Sequence, residues 1–219
     1  MKLPHYDVVI ATPGSAMEAE YVKSLVVTLE WLTAQGMTYK YLSKYSSFVP
    51  SAREKTATDS DEHDWATTEV GRGEFTYDWL LWIDSDMVWE PFCLERLMSW
   101  NYDVISACCP VNKHGVLGAM KLSPELVPKQ VTWWDLALED RPVEVDGVGF
   151  GFLLIKYGVM ESMKRPWFGI RKSRLDGVEF PVNFGEDYSF CMGLKDSGYS
   201  IWLDPGATVQ HMKASLLTL

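Results

Sequence analysis

The stretch "YDWLLWIDSDMVWEP", Tyr77 to Pro91, decides the fold. Its apolar run "DWLLWI" is short and unbroken, the pattern of a central strand covered on both faces. The run stops at Asp84-Ser85-Asp86, and "EPFCLERLMSW" then opens a helix with Pro91 near its first turn. Two carboxylates two residues apart at the tip of a buried strand repel each other, and apolar surroundings make each harder to ionise. Something positive is expected beside them.

The same alternation extends in both directions. "YDVVIAT" (Tyr6 to Thr12) is β-branched and apolar, and Pro13-Gly14 closes it as a buried strand. Ser15 to Glu18 has the spacing of a capping box, and Val22, Leu25, Val26, Leu29 and Leu32 recur at helical intervals up to Gly36. "MTYKYLSKY" predicts a second strand, and Ser51 to Glu54 behind Pro50 a second helix. "YDVISACCPV" predicts another strand. Strand and helix have then alternated three times, which argues for an α/β domain with a largely parallel sheet. The second half is more mixed. "VEVDGVGFGFLLI" predicts two short strands around a glycine-rich turn, "GVMESMK" a brief helix, and "EDYSFCMGLKDSG" a longer one. "YSIWLDP" and "ATVQH" finish as strands. No repeat, low-complexity linker or domain boundary interrupts the chain.

The 219 residues suit one large domain, and the 47% hydrophobic and 23% charged content is that of an ordinary globular protein. A formal net charge of -10 argues against a nucleic-acid surface, which needs a basic stripe. An acidic protein that binds a phosphorylated ligand needs a divalent cation between the like charges. No stretch reaches the roughly 18 apolar residues of a membrane span and no signal-peptide pattern opens the chain, so a soluble, cytoplasmic protein is expected. Cys93, Cys108, Cys109 and Cys191 have no C-x-x-C spacing and read as buried reduced thiols. The 10 Trp and 10 Tyr fill a core or, in small part, line a cleft. The acidic stretch from Thr58 to Glu74 includes His63, and it reads as a solvated face rather than a metal site.

Asp84 to Asp86 lie beyond the carboxyl end of a strand, where open α/β sheets collect ligands. Either they cap the helix that follows, or they hold a hard divalent cation and a ligand hydroxyl. Two further segments bear on the choice. "NFGEDYSF" puts Glu186-Asp187 at a helix start, and "VQHMK" ends a strand at His211.

D-S-D after an apolar strand, G-E-D opening a helix, and a strand followed by His, in this order, resemble the GT-A glycosyltransferases from about Tyr6 to Lys213. Compact virus- or phage-encoded members look most similar in layout. The resemblance implies a single GT-A, Rossmann-like α/β domain over residues 1–219, with a mostly parallel central sheet flanked by helices. A nucleotide-binding half would cover about 1–110 and an acceptor half about 111–219. The implied activity moves a sugar from a nucleotide-diphosphate donor, a UDP-sugar first among them, to a hydroxyl on a glycan or other acceptor. Asp86 and His211 would ligate Mn²⁺ or Mg²⁺, with Asp84 behind them on the donor or the metal's water. Mixed oxygen and imidazole ligation suits Mn²⁺ somewhat better. Asp187 would be the general base of an inverting reaction and Glu186 would hold the acceptor. The macrodipole at a helix start would keep Asp187 ionised and make it less basic. Thr12, Pro13, Arg53, Ser85 and Lys213 match donor-side positions. "DGVGFGF", with Gly149 and Gly151, would floor the sugar where backbone must come close. Trp133 and Trp134 offer an acceptor platform or packing.

The chain departs from many members by lacking an acid after the second strand, where "SKYSSFVPSARE" stands, and this leaves the base open. It ends soon after His211, so an acceptor-selecting segment is expected from a partner or from further domains of a longer protein. A retaining transferase is an alternative. So is a nucleotidyltransferase, although "ATPGSAMEAE" lacks the basic, glycine-rich loop that grips a triphosphate. A sugar-binding module without catalysis is the rival of another class.

Overall fold

The computed structural model describes residues 2–61, 69–112, 114–123, 127–173 and 182–212; His63 and Lys213 lie outside them. The first half runs β1 (His5–Ala11), α1 (Ala19–Ala34), β2 (Tyr39–Leu42), α2 (Val49–Thr58), β3 (Thr76–Ile83), β4 (Met87–Val88), α3 (Pro91–Trp100) and β5 (Val104–Cys108). Next come β6 (Val116–Leu122), β7 (Pro128–Thr132), α4 (Trp133–Leu136), β8 (Val143–Val145), β9 (Gly147–Val148), β10 (Phe152–Lys156) and α5 (Val159–Ser162). The chain continues through β11 (Lys172–Ser173), β12 (Val182–Asn183), α6 (Glu186–Asp196), β13 (Ile201–Thr208) and β14 (Gln210–His211).

The central sheet has seven strands in the order β2-β1-β3-β10-β5-β13-β8. β1 is parallel to β2 and β3, and β5 to β13. β10 runs antiparallel between β3 and β5, so those two point the same way, and β8 closes one edge antiparallel to β13. The sheet is therefore mostly parallel, as expected. Its carboxyl end gathers the residues after β1, β3, β5 and β13. The reversed β10 begins at that same end, which brings Gly149 and Gly151 there.

Both faces of the sheet are buried, which explains the unbroken apolar run. Leu80 and Trp82 of β3 enter one core with Phe150, Phe168 and Phe190, and Trp79, Leu81 and Ile83 enter the other with Tyr21, Leu94 and Leu97. In the first core Phe168 stacks on Phe190 with centroids 5.1 Å apart, and Phe150 meets both Trp82 and Phe190 edge-on. Such pairs contribute about 0.5–1.5 kcal/mol each beyond the area they bury. All four cysteines are buried free thiols.

Three local expectations shift. No helix starts at Ser15, because the Gly14 N–H donates to Lys44 O and the Glu18 N–H to Ser85 O. Residues 13–18 thus bond to neighbouring loops and α1 waits until Ala19. α2 starts at Val49, with Pro50 in its first turn and Ser51 already inside it. "VEVDGVGFGFLLI" makes three strands rather than two, since β9 leaves the central sheet to pair with β6.

Candidate functional site

At the carboxyl end of the sheet lies a cleft of about 550 Å³ lined by Pro13 to Ala16, Tyr45 to Ser47, Val49, Ala52, Arg53, Asp84 to Asp86 and His211. Each segment arrives there by the topology just described. The loop after β1, the loop between β2 and α2 with the start of that helix, and the turn from β3 to β4 together supply the lining.

His211 reaches the cleft because β14 pairs antiparallel with β4, placing His211 opposite Met87 and the Met212 N–H on Asp86 O at 2.8 Å. His211 Nε2 then lies 2.9 Å from Asp86 Oδ2, and His211 Nδ1 lies 3.2 Å from Pro110 O. A carbonyl oxygen only accepts, so Nδ1 is the donor in that bond. In the neutral ring Nε2 consequently turns its lone pair toward the carboxylate. A second proton on the ring or a cation beside the pair reconciles two such acceptors. A backbone carbonyl that accepts the other ring N–H is the usual support of a metal-ligating His. Asp86 and His211 therefore fit the donor set of a divalent cation.

Asp84 faces the other way. Its Oδ1 lies 3.1 Å from Nη2 of Arg53, whose Nε lies 3.5 Å from Glu186 Oε1. The positive group that the D-S-D spacing called for is, at Asp84, this guanidinium. Arg53 is only 6% exposed in its side chain, lies 4.4 Å over the Phe150 ring, and directs Nε and Nη1 at no hydrogen-bond acceptor. A guanidinium on the wall of an open cleft is suited to an anionic ligand through its charge, while its two unpartnered nitrogens are themselves buried. Ser85 lines the cleft, and its backbone carbonyl ties the motif to Glu18.

Asp187 sits at the start of α6, where its Oδ1 accepts the Tyr188 N–H at 2.8 Å. Burial pushes its carboxyl above the ordinary Asp value, and the charges of Glu186 and Asp84 add to the rise. The Tyr188 hydrogen bond and Arg53 oppose the shift without cancelling it. The helix start alone suggested a less basic carboxylate; burial outweighs it. A Cβ on Gly149 would come into ordinary contact with Asp187 Oδ2, at 3.7 Å, so this glycine puts no side chain against that oxygen. Gly151 serves packing instead, since a Cβ there would stand 2.8 Å from Cys109 Sγ.

Pro13 lines the cleft, whereas Thr12 is fully buried with its hydroxyl bonded to Tyr21 and its N–H to Leu42 O. Sequence reasoning missed Tyr45, Ser46 and Ser47 as lining, Phe150 as the platform under Arg53, and Pro110 as the carbonyl that orients His211. Only the polar loop after β2 carried a signal. Trp133 and Trp134 are 37% and 76% exposed and so are not core. Among the described residues, a three-residue group able to hold a metal is His5, Asp7 and Asp78. It lies at the opposite end of β1 and β3, and Thr76 and Thr38 already bond His5 and Asp7.

No protein-family model and no curated protein matches this chain. Among solved structures the likeness is to the GT-A glycosyltransferase fold, and the seven-stranded sheet with its helices is of that kind. The chain superposes over 98% of its length on GalNAc-T7, solved with UDP, GalNAc and Mn²⁺, at 10% identity and a TM-score of 0.54. It spans 44% of that protein. Over 97% of both chains it superposes on A197 from STIV, at 18% identity and a TM-score of 0.53. At such identities the likeness is one of fold.

Proposed function

We propose that this chain is a divalent-cation-dependent glycosyltransferase that moves a sugar from a nucleotide diphosphate to an acceptor hydroxyl with inversion at the anomeric carbon. The observation that carries this reading is the meeting of Asp86 and His211 in one cleft with Arg53, at the carboxyl end of a GT-A-like sheet. Asp86 and His211 hold Mn²⁺ or Mg²⁺, which when bound sets positive charge against the donor diphosphate. Arg53 sets its positive charge against the same anion from the cleft wall, and Pro13 and Ser85 complete the donor side among the described residues. Thr12 acts only from behind, by fixing the loop. Residues up to about 110, joined by His211, take the donor, the rest of the second half takes the acceptor, and Asp84 contacts the donor from its place on Arg53.

Asp187 accepts the proton of the acceptor hydroxyl as that oxygen forms its bond to the anomeric carbon. The bond from that carbon to the phosphate oxygen breaks, and its electron pair leaves on the diphosphate. A carboxylate raised in basicity by burial suits this step better than an ordinary one. Glu186, already drawn to Arg53, holds an acceptor hydroxyl, and Gly149 leaves room beside the base. The structure solved with UDP and GalNAc supports a UDP-sugar as the first donor to try and a glycan as the first acceptor.

The test is hydrolysis of UDP-, GDP- and dTDP-sugars with Mn²⁺, Mg²⁺ or EDTA, with Asp86→Ala as the control. Metal-dependent release of one nucleotide diphosphate, lost in the variant, is expected. No release and no metal-dependent nucleotide binding would end this reading. NMR of the transfer product then reads the anomeric configuration, and retention would exclude Asp187 as an inverting base.

A further inference from the structure

Asp204 is completely buried, and nothing in the proposed reaction uses it. Its carboxylate accepts hydrogen bonds from Arg96 Nε at 2.8 Å and Nη2 at 3.0 Å, from Trp100 Nε1 at 2.9 Å, and from the Gly206 N–H at 2.9 Å. Four donors match the lone pairs of a carboxylate and make a buried charge tolerable. Arg96 and Trp100 are one turn apart on α3, so one face of that helix grips Asp204.

What it grips is an irregularity. β13 stays in register with β5 up to Asp204 opposite Ala107 and resumes with Thr208 opposite Cys108. Pro205, Gly206 and Ala207 have no partners on β5, and the Gly206 N–H on Asp204 Oδ1 turns them back. Three residues take up about 10 Å of extended chain. Beyond them the Val209 N–H bonds Cys108 O, and His211 comes to face Met87. If the bulge straightened, the register against β4 would slip by three and His211 would leave Asp86. Asp86 directly precedes β4, which leads into α3. The Arg96–Asp204 bridge thus joins the segment that carries Asp86 to the segment that carries His211.

We infer that Arg96 and Asp204 are positioning residues that set the Asp86–His211 pair through the bulge in β13. The functional part of the inference rests on reading that pair as the cation site; the structural part does not. Arg96→Gln removes the grip directly. Gly206→Ala removes it indirectly, because a Cβ there would overlap the Arg96 guanidinium. Leu97→Ala, in the buried face of the same helix, is the control for a merely destabilised α3.

Two readouts are taken at matched fractions folded: Mn²⁺ affinity from the EPR signal of free Mn²⁺, and the ¹⁵N imidazole signals of His211 in metal-free protein. Arg96→Gln and Gly206→Ala should each bind Mn²⁺ about tenfold or more weakly, the loss usual for a broken outer shell, and move the His211 signals. Leu97→Ala should do neither. The inference is overturned if the imidazole signals stay in place in the two variants, or if Leu97→Ala moves them as far. Should the parent protein bind no Mn²⁺, the cation reading falls and the imidazole signals alone decide the positioning role.

Discussion

His211 Nε2 stands 2.9 Å from Asp86 Oδ2, a contact between residues 125 positions apart in the chain. Both side chains are partly open to the cleft, so neither contributes much to the core. Asp86→Ala and His211→Ala should each change stability by less than about 1 kcal/mol. Each should weaken Mn²⁺ binding by at least about 100-fold, since loss of a ligand exceeds loss of an outer-shell partner. Titration of the free Mn²⁺ EPR signal checks this. Unchanged affinity in both variants would mean that the pair is only a His–Asp contact.

Arg53 lies between Asp84 and Glu186, and its fork is what lets one cation serve both. Lys keeps the charge without the fork. Arg53→Lys should lower affinity for UDP about tenfold by calorimetry, and Arg53→Met should lower it further. Arg53→Met should also cost about 1–3 kcal/mol in urea denaturation, less than a fully buried pair because both carboxylates are partly solvated. Equal UDP binding in all three proteins would remove Arg53 from the donor side.

The next residue of α2 has a different task. Glu54 meets Arg165 Nη2 at 2.8 Å and accepts the Phe168 N–H at 3.0 Å, with both side chains almost wholly buried. This anchors α2 against the segment that carries Phe168, and so holds the helix that presents Arg53. Arg165→Met leaves the Glu54 charge without its cation and should cost about 3–5 kcal/mol. Adding Glu54→Gln should recover part of that loss, and a double-mutant cycle in urea measures the coupling. Additive losses would show that the two side chains act independently.

Much of this was legible in the sequence because it depended on pattern. The apolar run before Asp84 declared a strand buried on both faces, and the helical spacing after Ala19 declared α1. What stayed hidden depended on contacts between distant segments. Capping-box spacing at Ser15 is a local signal, and it lost to hydrogen bonds that Gly14 and Glu18 donate to the carbonyls of Lys44 and Ser85, which no window of sequence contains. Phe150 reads as a core residue whether or not a guanidinium lies on it. Asp204 reads as the end of a strand, because a bulge of three residues shows only against its partner strand. Asp84 and Asp86, two residues apart in the motif, would share a face in a continuous strand, but they lie in the turn between β3 and β4, and this turn sends them to different partners.

Asp187 offers a prediction in which stability and catalysis move in opposite directions. Burial raises its folded pKa above the ordinary value of 3.8, so the ionised form is disfavoured in the fold. Below 3.8 the group is protonated in both the folded and unfolded states and costs nothing. As pH rises through the window from 3.8 to the folded value, the unfolded chain releases the proton first and stability falls; above the window the whole penalty remains. Asp187→Asn removes the charge while keeping an oxygen for the Tyr188 N–H. At pH 7 the variant should therefore be more stable than the parent in urea, and the gap should close as pH falls toward 3.8. Turnover should drop by about 10²–10⁴-fold, the usual contribution of a general base, with UDP binding retained. In the parent, the acidic limb of kcat should lie above the ordinary Asp range. A variant that is no more stable at pH 7 and turns over normally would show that Asp187 is a first-turn acid of α6 and nothing more.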